Sequence, residues 1–234
     1  MDSTEPALTA RERFYVASDV ARALTFLHTV CDPPIIHQDI KSANILLGVA
    51  PRDSDCNLVA KLADFGTVRL VPELAGTKAP THHSTRNVVG TGPYMPLEYV
   101  QAGHTGPKTD AFAFGVVLLE LLTGRPPSDR VKKTTLVVQL DSQLNSQDLQ
   151  RTFAPFLDAA APGGWDRGTK RAALALADIA RRLVQPRVTA RSVVSEVVPN
   201  IDALAGRSRD ARSGRGRWGL NLRPFRGKKS LHQH

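Results

Sequence analysis

Residues 37–44 read HQDIKSAN and residues 64–66 read DFG, and these two short stretches decide the reading of the chain. Asp39 stands five residues before Asn44 on one short segment, and Asp64 follows after two apolar runs. The spacing allows three oxygen-bearing side chains to converge on one point. Such a donor set suits Mg²⁺, which prefers hard oxygen ligands and takes one or two carboxylates together with phosphate oxygens. The pattern therefore points to phosphoryl-transfer chemistry, in which positioning and charge stabilisation carry most of the work. Taken singly, each residue also has a plainer reading. Asp39 can cap a loop, Asn44 can occupy a left-handed turn, and Asp64-Phe65-Gly66 can be an ordinary Asp-x-Gly turn.

Further blocks follow in order. GTGPYMPLE spans 90–98, KTDAFAFGVVLLELLTGRPP spans 108–127, and QPRVTARSVVSEV spans 185–197. Together with the two central stretches they resemble the protein kinase family, whose catalytic loop reads H-R-D-x-K-x-x-N. The resemblance covers about residues 8 to 200. Lys41, two residues after Asp39, is similar to the serine/threonine type. IKSANILL at 40–47 and AFGVVLLELLTGRPP at 113–127 resemble the receptor-like, Pelle and interleukin-receptor-associated branch.

The resemblance implies ATP and Mg²⁺ as cofactors and a protein substrate bearing Ser or Thr. It implies Asp39 as the base, Lys41 as a contact to the transferred phosphate and nucleotide, and Asn44 and Asp64 as nucleotide-side metal ligands. It gives Asp110 the structural task of holding the catalytic loop's backbone, although a plain helix cap is open at that position. It also implies a buried ion pair between Glu98 and Arg187. His37 reads as structural. The hydroxyls Thr77, Thr81, Ser84 and Thr85 fall on the segment that such enzymes phosphorylate.

Departures carry expectations of their own. No Gly-rich loop precedes His37, and one helix uses most of the first 36 residues. The expected fold is thus α+β: a mostly helical C-terminal kinase lobe with a small β-hairpin sheet at the catalytic face and the N-lobe missing. Such a chain is expected to be weak or inactive alone, and to call on a missing lobe or partner chain. Gln38 replaces the arginine of H-R-D, which removes the usual reader of a phosphorylated segment. Leu97 and Val188 stand where prolines flank the presumed ion pair, which predicts a looser anchor. Two rivals remain open: a pseudokinase-like binding or scaffold module, and a small-molecule phosphotransferase, which Lys41 and GTGPYMPLE disfavour.

Thr9 and Glu12 have capping-box spacing, and Phe14, Ala17, Val20, Ala21, Leu24 and Leu27 recur at helical intervals, which predicts a helix over 10–30. Further helices are expected near 110–122, 147–158, 168–184 and 189–198. A strand is expected at 35–36 and a hairpin from 45–47 and 58–62, with a long irregular segment over 64–98. The expected organisation is an extension at 1–7, the partial kinase domain at 8–204 and a disordered basic tail at 205–234.

Composition bounds the rest. The 234 residues are 41% hydrophobic and suffice for one core. Cys31 and Cys56 have no metal-ligand spacing, and no signal-peptide pattern opens the chain, so a reducing, cytoplasmic setting is expected without a transmembrane segment. The net charge of +9 lies almost wholly in residues 205–234. A specific nucleic-acid partner is not expected, because Trp218 and Phe225 offer little stacking. The histidines at 82–83, 232 and 234 read as solvated.

Overall fold

The computed structural model describes residues 7–50, 56–70 and 90–207, together with the backbone of 83–84. Helix α1 (Ala10–Thr29) begins where its capping box places it. Glu12 N–H donates to Thr9 Oγ1 at 3.3 Å, and Glu12 Oε2 accepts from Thr9 N–H at 2.8 Å. The predicted face, from Phe14 to Leu27, is buried. After the Asp32-Pro33-Pro34 stop comes strand β1 (Ile35–Ile36), then β2 (Ile45–Val49), β3 (Leu58–Leu62) and β4 (Arg69–Leu70). β2 and β3 form the expected antiparallel hairpin, in register from Ile45↔Leu62 to Val49↔Leu58. β1 pairs with β4, so the chain returns beside its own approach to residue 37.

The next elements are β5 (His83–Ser84), α2 (Leu97–Ala102), β6 (His104–Thr105) and α3 (Pro107–Thr123). They lead into β7 (Ser128–Asp129), β8 (Thr134–Thr135), α4 (Leu136–Gln139), α5 (Asp141–Leu144), α6 (Leu149–Phe153), α7 (Arg167–Leu183) and α8 (Val194–Leu204). The sheets are two-stranded and antiparallel, so the architecture is α+β and mainly helical. Of the expected phosphorylation positions, Thr77, Thr81 and Thr85 lie outside the described residues, as does the side chain of Ser84. Residues 208–234, with most of the basic tail, also lie outside them, as do His82 and the side chain of His83.

Helix α3 is apolar nearly all round, the signature of a central buried helix. Phe114, Leu118, Leu119 and Leu122 are fully enclosed. Helix α7 lies along α3, and a side chain at Gly115 would meet Val184 Cγ1 at 2.7 Å and Leu183 Cβ at 2.9 Å. That approach requires glycine in a helix where alanine would otherwise be preferred. On the other side, α1 packs against α3, α8 and β3. Among the described residues no helix is long and apolar enough to cross a membrane.

Two expectations are corrected. The last helix runs from Val194 to Leu204, not over 189–198, and continues through Pro199. Burial of Val194, Val197 and Ile201 against α1 and its neighbours outweighs the helix bond that proline removes. The residues ahead of it, Val188–Ala190, form a single tight turn. That turn leaves Arg187 exposed and drives Arg191 inward, so the partner of Glu98 is Arg191, not Arg187. Arg191 Nη1 and Nη2 donate to the two carboxylate oxygens of Glu98 at 2.5 and 3.3 Å. Arg191 also donates to the carbonyls of Gln185 at 2.9 Å and Lys108 at 3.1 Å, and its guanidinium lies over the Phe112 ring. With a bidentate pair and further acceptors met, the anchor is not loose despite the missing prolines.

Arg191→Ala leaves a largely buried carboxylate without its cation and is expected to cost about 3–5 kcal/mol of stability in urea unfolding. Arg187→Ala, at an exposed position, is expected to stay within about 0.5 kcal/mol. Equal losses from the two variants would contradict this anchor.

Candidate active site

The segment 37–44 is held from below by one carboxylate. Asp110, in the first turn of α3 and 1% exposed, accepts His37 N–H at 2.8 Å and Gln38 N–H at 2.9 Å. His28 Nε2 lies 2.8 Å from the same carboxylate. Asp110 is therefore not the helix cap, a place taken by Gly106, but the clamp on the loop's backbone. Gln38 sits at φ 71° and its side-chain amide donates to the buried Thr105 Oγ1 at 3.0 Å. Gly90 approaches from the other side, where a Cβ would come within 2.8 Å of the Gln38 carbonyl oxygen.

Above this clamp the structure gathers Asp39, Lys41 and Asn44 into one hydrogen-bonded set. Lys41 Nζ donates to Asp39 Oδ2 at 2.6 Å and to Thr91 Oγ1 at 3.1 Å. Thr91 Oγ1 donates to Asp39 Oδ1 at 2.8 Å. Asn44 Nδ2 donates to the Asp39 carbonyl at 2.8 Å and to its Oδ2 at 3.1 Å. Burial works against ionisation of Asp39. The hydrogen bonds from Lys41, Thr91 and Asn44, with the charge of Lys41, outweigh it and hold the carboxyl below its ordinary range. Asp39 is thus an ionised, oriented acceptor.

Asp64 stands on the neighbouring turn. Its backbone is left-handed (φ 64°), and its Oδ1 accepts Gly66 N–H at 3.4 Å. It makes no side-chain hydrogen bond to Asp39, Lys41 or Asn44. The two turns are nevertheless stitched together. Ala63 N–H donates to the Asn44 carbonyl at 2.9 Å, continuing the β2–β3 ladder, and His37 Nε2 lies 3.1 Å from the Ala63 carbonyl. Thr67 Oγ1 donates to the His37 carbonyl at 3.1 Å, and the Phe65 and His37 rings meet edge to face at 5.0 Å. His37 thus serves as a structural joint between the two turns. Among the described residues no three His, Cys, Asp or Glu side chains form a metal-binding group.

A second polar group beside the loop was not singled out from sequence. Ser42, Tyr94 and Glu120 form a closed hydrogen-bonded triangle: Tyr94 Oη to Glu120 Oε2 at 2.9 Å, Ser42 Oγ to Glu120 Oε1 at 3.2 Å, and Ser42 Oγ to Tyr94 Oη at 3.1 Å. Ser42 and Glu120 border a recess of about 250 Å³ whose walls include Leu8, Val16, Ile45 and Val117. Burial pushes the Glu120 carboxyl up to about 7, against the pull of the Tyr94 and Ser42 hydrogen bonds. Burial likewise lifts the Tyr94 hydroxyl to about 12. In sequence Glu120 marks only an interruption of an apolar run. The usable signal was a lone carboxylate three and four residues after the inward-facing Val117 and Val116.

Because the folded Glu120 holds its proton to higher pH than the unfolded chain, it favours the fold below the ordinary carboxylate range. That contribution fades as pH rises through about 7. The stability difference between the native chain and Glu120→Gln is expected to fall by about 2–3 kcal/mol from pH 4.5 to 8, measured by urea unfolding at each pH. A pH-independent difference would show that Glu120 titrates normally.

Residues 2–198 match the protein kinase domain family. The chain is 37% identical over 196 residues to a probable leucine-rich repeat receptor-like protein kinase of Arabidopsis thaliana, covering 82% of this chain and 19% of that protein. It is 32% identical over 215 residues to a probable leucine-rich repeat receptor-like serine/threonine-protein kinase of the same plant, covering 92% of this chain and 22% of that protein. With the Arabidopsis calmodulin-binding receptor-like cytoplasmic kinase 1 the figures are 39% over 185 residues, 78% of this chain and 35% of that protein. The chain spans about a fifth of the length of the first two relatives. Across most of its length this chain belongs to the protein kinase family.

Proposed function

We propose that the chain carries the catalytic-loop portion of a serine/threonine-protein kinase that uses ATP and Mg²⁺. The observation that supports this most is the set formed by Asp39, Lys41, Thr91 and Asn44 beside the turn of Asp64. The donors suit the cofactor. Asn44 engages Asp39 through Nδ2, which leaves its Oδ1 oxygen for a cation, and Asp64 is an exposed carboxylate on the adjoining turn. One amide oxygen and one carboxylate do not complete a protein cage, which is the usual situation for Mg²⁺ held partly by phosphate oxygens. When bound, Mg-ATP supplies the phosphoryl group and the cation that spreads its charge.

The chain's own residues have distinct tasks. Asp39 accepts a hydrogen bond from the attacking Ser or Thr hydroxyl, aims its oxygen and takes its proton. A carboxyl held below its ordinary range is a weak base, so its main contribution is orientation, as a loose transition state requires. Lys41 places its ammonium against the transferred phosphate and offsets the charge that develops there. Asn44 and Asp64 hold the metal. Gln38 fastens the loop to Thr105 through a neutral hydrogen bond, so the loop does not depend on a phosphate-to-arginine contact.

These 234 residues contain no Gly-rich loop ahead of His37 to cover the nucleotide, so assayed alone they turn over slowly. A scaffold that needs no nucleotide is the rival reading.

Calorimetric titration of the chain with Mg-ATP separates the two. Saturable binding is expected, weakened about tenfold or more by Asp64→Asn, a loss of about 1.4 kcal/mol or more. Asp39→Asn is expected to keep binding and to lower phosphotransfer to a Ser/Thr peptide about 10²–10⁴-fold. Absence of Mg-ATP binding would favour the scaffold. Vigorous Asp39-dependent turnover would uphold the kinase and overturn its weakness alone.

A further inference from the structure

The hairpin between α3 and α4 carries charge that phosphoryl transfer does not use. Pairing of Ser128 with Thr135 and of Asp129 with Thr134 fixes its stem. Its tip is closed by Asp129 Oδ1, which accepts Val131 N–H at 2.9 Å and Lys132 N–H at 3.0 Å. Arg125, Arg130 and Lys132, with Ser128, Asp129 and Gln139, line a recess of about 560 Å³. None of these three cations forms an ion pair with a described carboxylate. Asp129, the one carboxylate in the lining, accepts the two backbone N–H groups through Oδ1 and interacts electrostatically with Lys132, so it offsets one of the three positive charges. Three cations against one carboxylate leave the hollow positive, and an anion placed among them relieves the repulsion between them.

Arg125 is set for the purpose. Its guanidinium lies 5.0 Å from the centre of the Phe156 ring, a cation–π contact that restrains the side chain, and it forms no ion pair with a described carboxylate. A planar fork of donors matches the oxygens of a phosphate, and the polar residues Ser128 and Gln139 line the same hollow. Val131 and Val138, 92% and 66% exposed, form apolar shoulders beside it.

We propose that this recess binds a phosphate monoester carried on a protein segment. The charge of the lining calls for a compact anion, and the concavity calls for one that projects. An anionic bilayer would use the exposed Arg130, Lys132 and Val131 without need of a hollow. The apolar shoulders fit side chains flanking a phosphorylated residue.

The test uses the full 234-residue chain and a fluorescein-labelled phosphoserine peptide with neutral flanks, read by anisotropy. Its unphosphorylated twin and phosphatidylserine-containing vesicles form the other arms. The phosphopeptide is expected to bind about tenfold or more tighter than its twin, with affinity falling as salt rises. The double variant Arg130→Ala, Lys132→Ala, at exposed positions, is expected to lose about fivefold or more. Arg125→Lys, which keeps the charge and removes the fork, is expected to lose affinity while its unfolding curve is unchanged. Binding that none of these variants alters would place the phosphate elsewhere, on the basic C-terminal residues or at Lys41, and overturn the proposal. Vesicle binding that the double variant abolishes, without phosphopeptide binding, would also overturn it in favour of a membrane contact.

Discussion

The carboxylate of Asp110 is the constraint on which the rest of the site depends. It sits at the start of the central buried helix and receives two successive backbone N–H groups of the 37–44 segment, with His28 beside it. Backbone donors forced into a compact interior need partners, and an unpaired one costs about 1–3 kcal/mol. By meeting both donors with one rigid side chain, the fold lets Gln38 adopt a left-handed backbone and aims Asp39 toward Lys41, Thr91 and Asn44. The loop's geometry is therefore inherited from α3, whose own position follows from the packing of Phe114, Leu118, Leu119 and Leu122.

A second anchor works on the far side of the segment that follows. Arg191 joins α2 to the start of α3, because it grips Glu98 and the Lys108 carbonyl together. Thr91, which completes the Asp39 set, lies only a few residues upstream of Glu98. A buried ion pair is weak evidence for stability in itself, since desolvation offsets much of the attraction. Its consequence here is positional: it fixes residues 90–98 against the start of α3 and so where Thr91 and Tyr94 meet the 37–44 segment.

The parts of this architecture legible in sequence were those written in local chemistry. The capping box of Thr9 and Glu12 and the helical spacing from Phe14 to Leu27 rest on neighbours a few positions apart, and the hairpin on two apolar runs joined by one polar loop. The juxtaposition of the Asp39 and Asp64 turns was legible only because the two stretches occur together. What escaped depends on long-range packing. Arg187 and Arg191 are indistinguishable as letters, and only the turn at Val188–Ala190 decides which faces inward. Helix α8 runs through Pro199 because its buried face outweighs a local penalty. Glu120 gained its meaning from Ser42 and Tyr94, distant in sequence, and the short elements α2, α4 and α5 are too brief to show a period.

On the proposed function, the 37–44 segment and the 64–66 turn serve one divalent cation bound with nucleotide. The most direct measurement is paramagnetic line broadening of assigned backbone amides on adding Mn²⁺ with a non-hydrolysable ATP analogue. The account predicts simultaneous broadening around Asn44 and Asp64, spreading to Asp39 and weakened in Asp64→Asn. Broadening confined to one of the two stretches, or absent from both, would contradict it.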